Sequence, residues 1–153
     1  MKGFLVFLAA LIGGAVYFFN NTGTISDKLT ADLRTRENAG TEGFRTQSYD
    51  DPKGFKARYE PFVEERGKVA KWMGWMGEKG RMIALCQETK DLYDETPMAE
   101  SPAYGAVLYR LGMAAEDDQP EVSFAVLKRF VELFPTGEEA AEARRGIERM
   151  IIK

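Results

Sequence analysis

From Gly3 to Ser26 the chain carries no charged side chain, and the seventeen residues Gly3 to Phe19 (GFLVFLAALIGGAVYFF) are apolar or small without interruption. Such a run costs free energy in water and gains it in hydrocarbon, so it predicts either a membrane helix or a segment removed during export. A cleaved leader needs small residues where its apolar core ends. Here the core passes into Tyr17-Phe18-Phe19 and Asn20-Asn21, and a cut at Gly13-Gly14-Ala15 leaves a greasy new terminus. The reading favoured is an uncleaved single-pass transmembrane anchor over residues 1–23, with an exported protein freed of its leader as the alternative. At about 1.5 Å per residue, the run extended through Asn20 to Gly23 reaches about 30 Å, a minimal crossing of a bilayer core. Tyr17, Phe18 and Phe19 then form an aromatic collar at one interface.

Ala9 and Gly13, and Ala10 and Gly14, are four apart, which places small residues on one stripe where a second membrane helix approaches closely. Lys2 and the terminal amine lie on one side of the run, and Lys28 and Arg34 lie near the other. With only two residues ahead of the helix, the N-terminus is expected in the cytoplasm and the body outside it. The alternative is a body that faces the cytoplasm.

The rest of the chain is long enough for one domain with a modest core. With 21 basic against 24 acidic residues and a net charge of −3, non-specific nucleic-acid binding is not expected. Cys86 is the one cysteine, so no internal disulfide forms and packing alone holds the fold. Histidine is absent. That removes imidazole metal sites, Ser-His-Asp and Cys-His nucleophiles, and the commonest general base. The acidic pairs Asp50-Asp51, Glu64-Glu65, Asp117-Asp118 and Glu138-Glu139 are adjacent, and adjacent residues on a helix do not face each other. No catalytic residues, metal ligands or cofactor are expected.

Residues 24–51 read as a juxtamembrane helix and a polar linker. Ile25, Leu29 and Leu33 recur every four residues and predict a short helix from about Ser26 to Glu37, followed by the linker from Asn38 to Asp51. Beyond Pro52 the pattern is helical, with segments near 53–73, 78–95, 103–116, 120–134 and 138–151. Asp51-Pro52, Ser101-Pro102 and Gln119-Pro120 mark helix starts. Thr136 and Glu139 have capping-box spacing. Ser123, Leu127, Phe130, Val131 and Phe134 trace one apolar face, and Ala140, Ala143 and Ile147 trace another. Nothing alternates as a strand does.

Ala103 to Lys153 resembles a tetratricopeptide repeat. Leu108, Leu111-Gly112 and Ala115 take the signature places of a first helix. Ser123, Leu127, Phe130 and Phe134-Pro135 take those of the second, and residues 136–143 open a third. The Phe-Pro and spaced alanines are similar to those of bacterial envelope proteins of this family. The resemblance implies an all-α protein with a small helical-hairpin domain over 52–153, tethered at a bacterial inner membrane with that domain in the periplasm. It implies a scaffold or accessory subunit that binds protein partners, other membrane or envelope subunits among them, through Tyr104, Tyr109, Arg110 and Arg129. A small carboxylate-dependent enzyme is the remote alternative.

Residues 53–81 carry eight basic against four acidic side chains, and residues 83–121 carry nine acids against Lys90 and Arg110. The basic stretch is interleaved with aromatics. It is read either as contact with anionic lipid through Trp72, Met73, Trp75 and Met76 or as packing inside the bundle. Gly74, Gly77 and Gly80 predict a turn between helices.

Overall fold

A computed structural model describes residues 2–152, with side chains described from Ala10 onward. Among them are eight α-helices and no strand: α1 Lys2–Asn20, α2 Thr22–Glu37, α3 Glu42–Asp50, α4 Pro52–Trp75, α5 Lys79–Tyr93, α6 Pro102–Ala115, α7 Pro120–Leu133 and α8 Glu138–Ile152. A short 3₁₀ turn, Pro97–Glu100, joins α5 to α6.

Local chemistry sets most of the boundaries. The Asp51 carboxylate accepts the Gly54 N–H at 3.0 Å and Pro52 begins α4. Ser101 Oγ accepts the Ala103 N–H at 3.3 Å ahead of Pro102 in α6. In both helices a proline sits where an amide has no helical partner. The expected glycine turn closes α4: Gly77 adopts φ +77°, the Glu78 N–H reaches the Met73 carbonyl at 2.9 Å, and the Gly77 N–H reaches Gly74 at 3.2 Å. This is a Schellman ending, which needs the left-handed residue that glycine supplies. The Thr136 capping box does not form, because α8 begins at Glu138 and Gly137, at φ +102°, precedes it.

The expectation of a transmembrane helix ahead of the helical domain is corrected. Among the described residues no helix is long and apolar enough to cross a membrane. α1 stops at Asn20, the chain turns at Asn21, and α2 starts at Thr22, so residues 20–23 do not lengthen the apolar run. The 19 residues of α1 measure about 28 Å, with Lys2 and Asn20 at the two ends. The single-pass inner-membrane placement, with the body in the periplasm or facing the cytoplasm, is overturned by the same finding.

The expected linker is also structured. Thr41 caps α3 by accepting the Phe44 N–H at 3.2 Å, and Phe44 enters an aromatic cluster. Its ring centroid lies 4.9 Å from Phe55, 4.9 Å from Tyr59 and 5.6 Å from Tyr93. One phenylalanine is enough to fold a polar segment down, since an aromatic side chain buries a large area for its length.

A single core runs from this cluster through Val107, Leu108 and Leu111 of α6 to Leu127, Phe130, Ala140 and Ala143 of α7 and α8. Two glycines let these last three helices close up around one leucine. A Cβ at Gly112 would stand 2.4 Å from Leu127 Cδ2, and one at Gly146 would stand 3.1 Å from Leu127 Cδ1. Ser123 Oγ donates to the Gly112 carbonyl at 2.7 Å, fixing α7 on α6 at the same level.

Candidate functional site

α6 is buried on one stripe and open on another. Tyr104, Val107, Leu108, Leu111 and Ala115 face the core, whereas Ala103, Ala106, Arg110, Met113 and Ala114 are partly or fully exposed. An outward helix face is ordinarily polar; this one carries a single charge. α4 runs beside it with Glu64, Gly67, Lys68 and Lys71 at helical spacing. The two stripes line a hollow of about 260 Å³. A second hollow of about 420 Å³ continues on the far side of Ala106 and Arg110, reaching Met82, Tyr109, Met113 and Glu139. Because Ala106 and Arg110 belong to both, the two form one groove over α6, walled by α4 at one side and by the start of α8 at the other.

The floor is shallow-walled because Gly67, Ala103 and Ala106 offer nothing beyond Cβ. Arg110 is half-buried in it. Among the described residues, neither Arg110 nor Lys68 nor Lys71 makes an ion pair or a side-chain hydrogen bond. At the edge toward α8, Tyr109 of α6 donates to Glu142 Oε2 at 2.5 Å and packs on Phe130 with centroids 5.4 Å apart. Burial first, and the Glu142 carboxylate second, push the Tyr109 phenol up to about 12, so it is a neutral donor at ordinary pH.

The residues expected to bind a partner divide. Tyr109 and Arg110 line the groove. Tyr104 is fully buried and donates to Asp94 Oδ1 at 2.9 Å, and Arg129 donates to the same oxygen at 3.2 Å. These two tie α6 and α7 to the end of α5. The expected lipid-facing group divides as well: Met73 is in the core, Trp72 and Met76 are half-buried, and Trp75 stands 88% exposed. Trp72 meets Phe18 of α1 edge-on at 6.3 Å, one contact between α1 and the body. Ala10 is exposed, and Gly13 and Gly14 have open space around them. The Ala9 side chain lies outside the described residues.

Another hollow of about 290 Å³ lies between α3 and the end of α5, lined by Arg45, Lys90, Asp91, Asp94 and Glu95 among others. Its charges are of both signs, and Asp94 is already engaged by Tyr104 and Arg129, so it presents no single-signed surface. Among the described residues, no group of three or more metal-ligating side chains converges. Cys86 is buried and its thiol is pushed up to about 12 by that burial, which leaves it protonated and unreactive at neutral pH.

Nothing in the local residue pattern announces a buried ion pair. Glu37 of α2 and Arg66 of α4 are each 1% exposed. Arg66 Nε donates to both Glu37 oxygens at 3.0 Å and Nη2 donates to Oε2 at 2.6 Å. Tyr93 donates to Glu37 Oε1, and Arg66 also reaches Glu88 at 3.1 Å and Thr89 at 3.4 Å. Burial works against the Arg66 charge, but Glu37 and Glu88 outweigh it and hold its pKa above the usual value. Every buried side-chain polar atom among the described residues has a partner. Full satisfaction of this kind marks a structural cluster, not a vacant site.

Comparison of the chain with protein-family models, with curated proteins and with solved structures finds no match.

Proposed function

We propose that this protein is a non-catalytic helical module that binds another protein in the groove over α6, serving as a scaffold or an accessory subunit of a larger assembly. The observation that carries the reading is the open stripe of α6, which is apolar apart from Arg110 and continues into both hollows. Apolar surface gathered in a concave strip, with an unpaired cation at its centre, is the form taken by peptide- and helix-binding grooves. The likeness of residues 103–153 to a tetratricopeptide unit supports the same reading. So does α1, whose residues 10–20 are all exposed, with Tyr17 at 70% and Phe19 at 65%. The chain itself leaves this described part of α1 largely uncovered.

The test is site-directed photo-crosslinking of the full chain in the cells that make it, with a photoreactive side chain at Ala106. An exposed position on α7, Ala125, serves as the control. A discrete protein adduct at position 106 and none at 125 is the expected result. Absence of an adduct at 106 overturns the assignment of the groove, and turnover of a small molecule by the purified chain overturns the non-catalytic role.

A further inference from the structure

Resting on that reading, we infer that the groove takes an acidic segment of the partner protein, with its carboxylates along the α4 wall and its apolar side chains in the hollow beside Met113. Three cations define that wall. Lys68 and Lys71 are exposed on α4, Arg110 rises half-buried from the floor, and none of the three has a carboxylate within ion-pair distance among the described residues. Arg66, Lys79 and Arg81 of the same basic stretch are engaged by Glu37, Asp118 and Asp27, whereas Lys53, Lys56 and Arg58, in the first two turns of α4, form no ion pair among the described residues. Of the unpaired cations, Lys68, Lys71 and Arg110 are the ones that line the open apolar groove.

Glu64 lines the α4 side of the groove, while Glu139 lines its far end, where Glu142 is bonded to Tyr109 and Glu138 lies close by, so the excess is positive along α4 and over the floor and negative at the α8 end. A half-buried guanidinium gains more from a carboxylate than an exposed lysine does, because water screens it less and its planar fork donates to two oxygens at once. Arg110 is thus the anchoring contact, and Lys68 and Lys71 set the charge preference and speed encounter. From Ala103 to Ala114 the groove floor follows α6 for about 16 Å, which a helix of about eleven residues or an extended stretch of about five fills.

A displayed library of random peptides about twelve residues long, sized to that floor, is sorted on the full-length protein. The recovered peptides are expected to combine two or more Asp or Glu with large apolar residues, and to bind more weakly as salt rises from about 50 to 300 mM. Lys68→Glu/Lys71→Glu is expected to weaken the acidic peptides by about tenfold or more and to shift sorting toward Lys- and Arg-containing ones. Both side chains are on the surface, and circular dichroism melting verifies that the variant is folded. Ala106→Trp, which fills the floor without changing charge, is expected to abolish binding of either kind.

Recovery of neutral or basic peptides by the unaltered protein overturns the acidic partner. So does an acidic preference that survives the charge reversal. In either event an adduct at Ala106 still upholds protein binding in the groove, whereas loss of that adduct removes the groove itself. If no peptide is recovered although Ala106 crosslinks, the partner is not a linear acidic segment and the inference falls alone.

Discussion

Glu37 and Arg66 show how far one pair of side chains outweighs the local pattern around it. Ile25, Leu29 and Leu33 of α2 recur every four residues, yet its buried face is Ser26, Thr30, Leu33 and Glu37, and Leu29 is left exposed. The reason lies on the opposing helices. Ser26 donates to Glu78 at 2.7 Å, Arg81 to Asp27 at 3.1 Å, Arg34 to Glu88 at 2.9 Å and Arg36 to Glu65 at 3.1 Å, with the Glu37–Arg66 pair at the dry end of the row. Exposed members of such a row contribute little each. The buried pair is different, since removing one partner leaves the other desolvated and unpaired. Arg66→Ala is expected to destabilise the fold by about 3–5 kcal/mol, whereas Glu37→Leu/Arg66→Met, which removes both charges, recovers most of that loss. Urea denaturation of the two variants checks this. The cost of Arg66→Ala also depends on pH. Burial disfavours the Glu88 charge, but Arg34 and Arg66 overcome that and hold its pKa below the usual carboxylate value. A carboxylate lowered in the fold stabilises above its unfolded pKa, about 4.3, and loses that contribution as pH falls through the folded value. The gap between Arg66→Ala and the unaltered chain should therefore narrow in acid; a gap of constant size would show that the ion pairs are not its source.

At the level of elements, the helices beyond Pro52 were legible because their punctuation is local. Asp51-Pro52, Ser101-Pro102 and the Gly77 turn act within a few residues of themselves, and α4 to α8 begin and end within about two residues of expectation, the ordinary uncertainty of a helix end. What escaped was set at a distance. α3 exists because Phe44 finds Phe55, Tyr59 and Tyr93, and nothing in a stretch rich in Thr, Glu, Gly and Asp announces that meeting. Tyr104 and Arg129 looked like surface groups until Asp94, from a third element, claimed both. The groove was half legible: Tyr109 and Arg110 were singled out, but Lys68 and Lys71 belong to it only because α4 lies beside α6. Gly112 is the residue that makes the α6–α7 contact possible. Gly112→Ala is expected to cost about 1–3 kcal/mol by driving a methyl into Leu127, although alanine is the better helix former. Leu127→Ala in the same chain should remove the clash, so the two losses, measured by thermal or urea unfolding, are expected to sum to more than the double variant shows. Strict additivity would count against the close approach.

Taken as one molecule, the body has two clusters that share α6. Phe44, Phe55, Tyr59 and Tyr93 fill the end formed by α3 to α5, Leu127, Phe130, Ala140 and Ala143 fill the end formed by α7 and α8, and Tyr104, Val107 and Leu108 lie in the same continuous core. No polar layer separates the two ends, so neither has a complete core of its own, and loss of α6 exposes both. A body of this size with a shared core is expected to unfold in one transition. The two tryptophans make this testable without labels. Trp75 is already in water, so the change in indole emission on unfolding comes from Trp72, which α4 holds against Phe18 of α1. The α7–α8 end is followed independently by Tyr109→Trp, whose ring site lies against Phe130, in a chain carrying Trp72→Phe and Trp75→Phe. Urea midpoints from emission at position 109, from emission at Trp72 in the unaltered chain after correction for any stability difference, and from far-ultraviolet circular dichroism are expected to coincide. An early Trp72 midpoint with unchanged circular dichroism would mean that α1 peels from the body on its own. Separate midpoints for position 109 and for the helical signal would divide the core at α6, and the groove would then sit on a seam between two folding units.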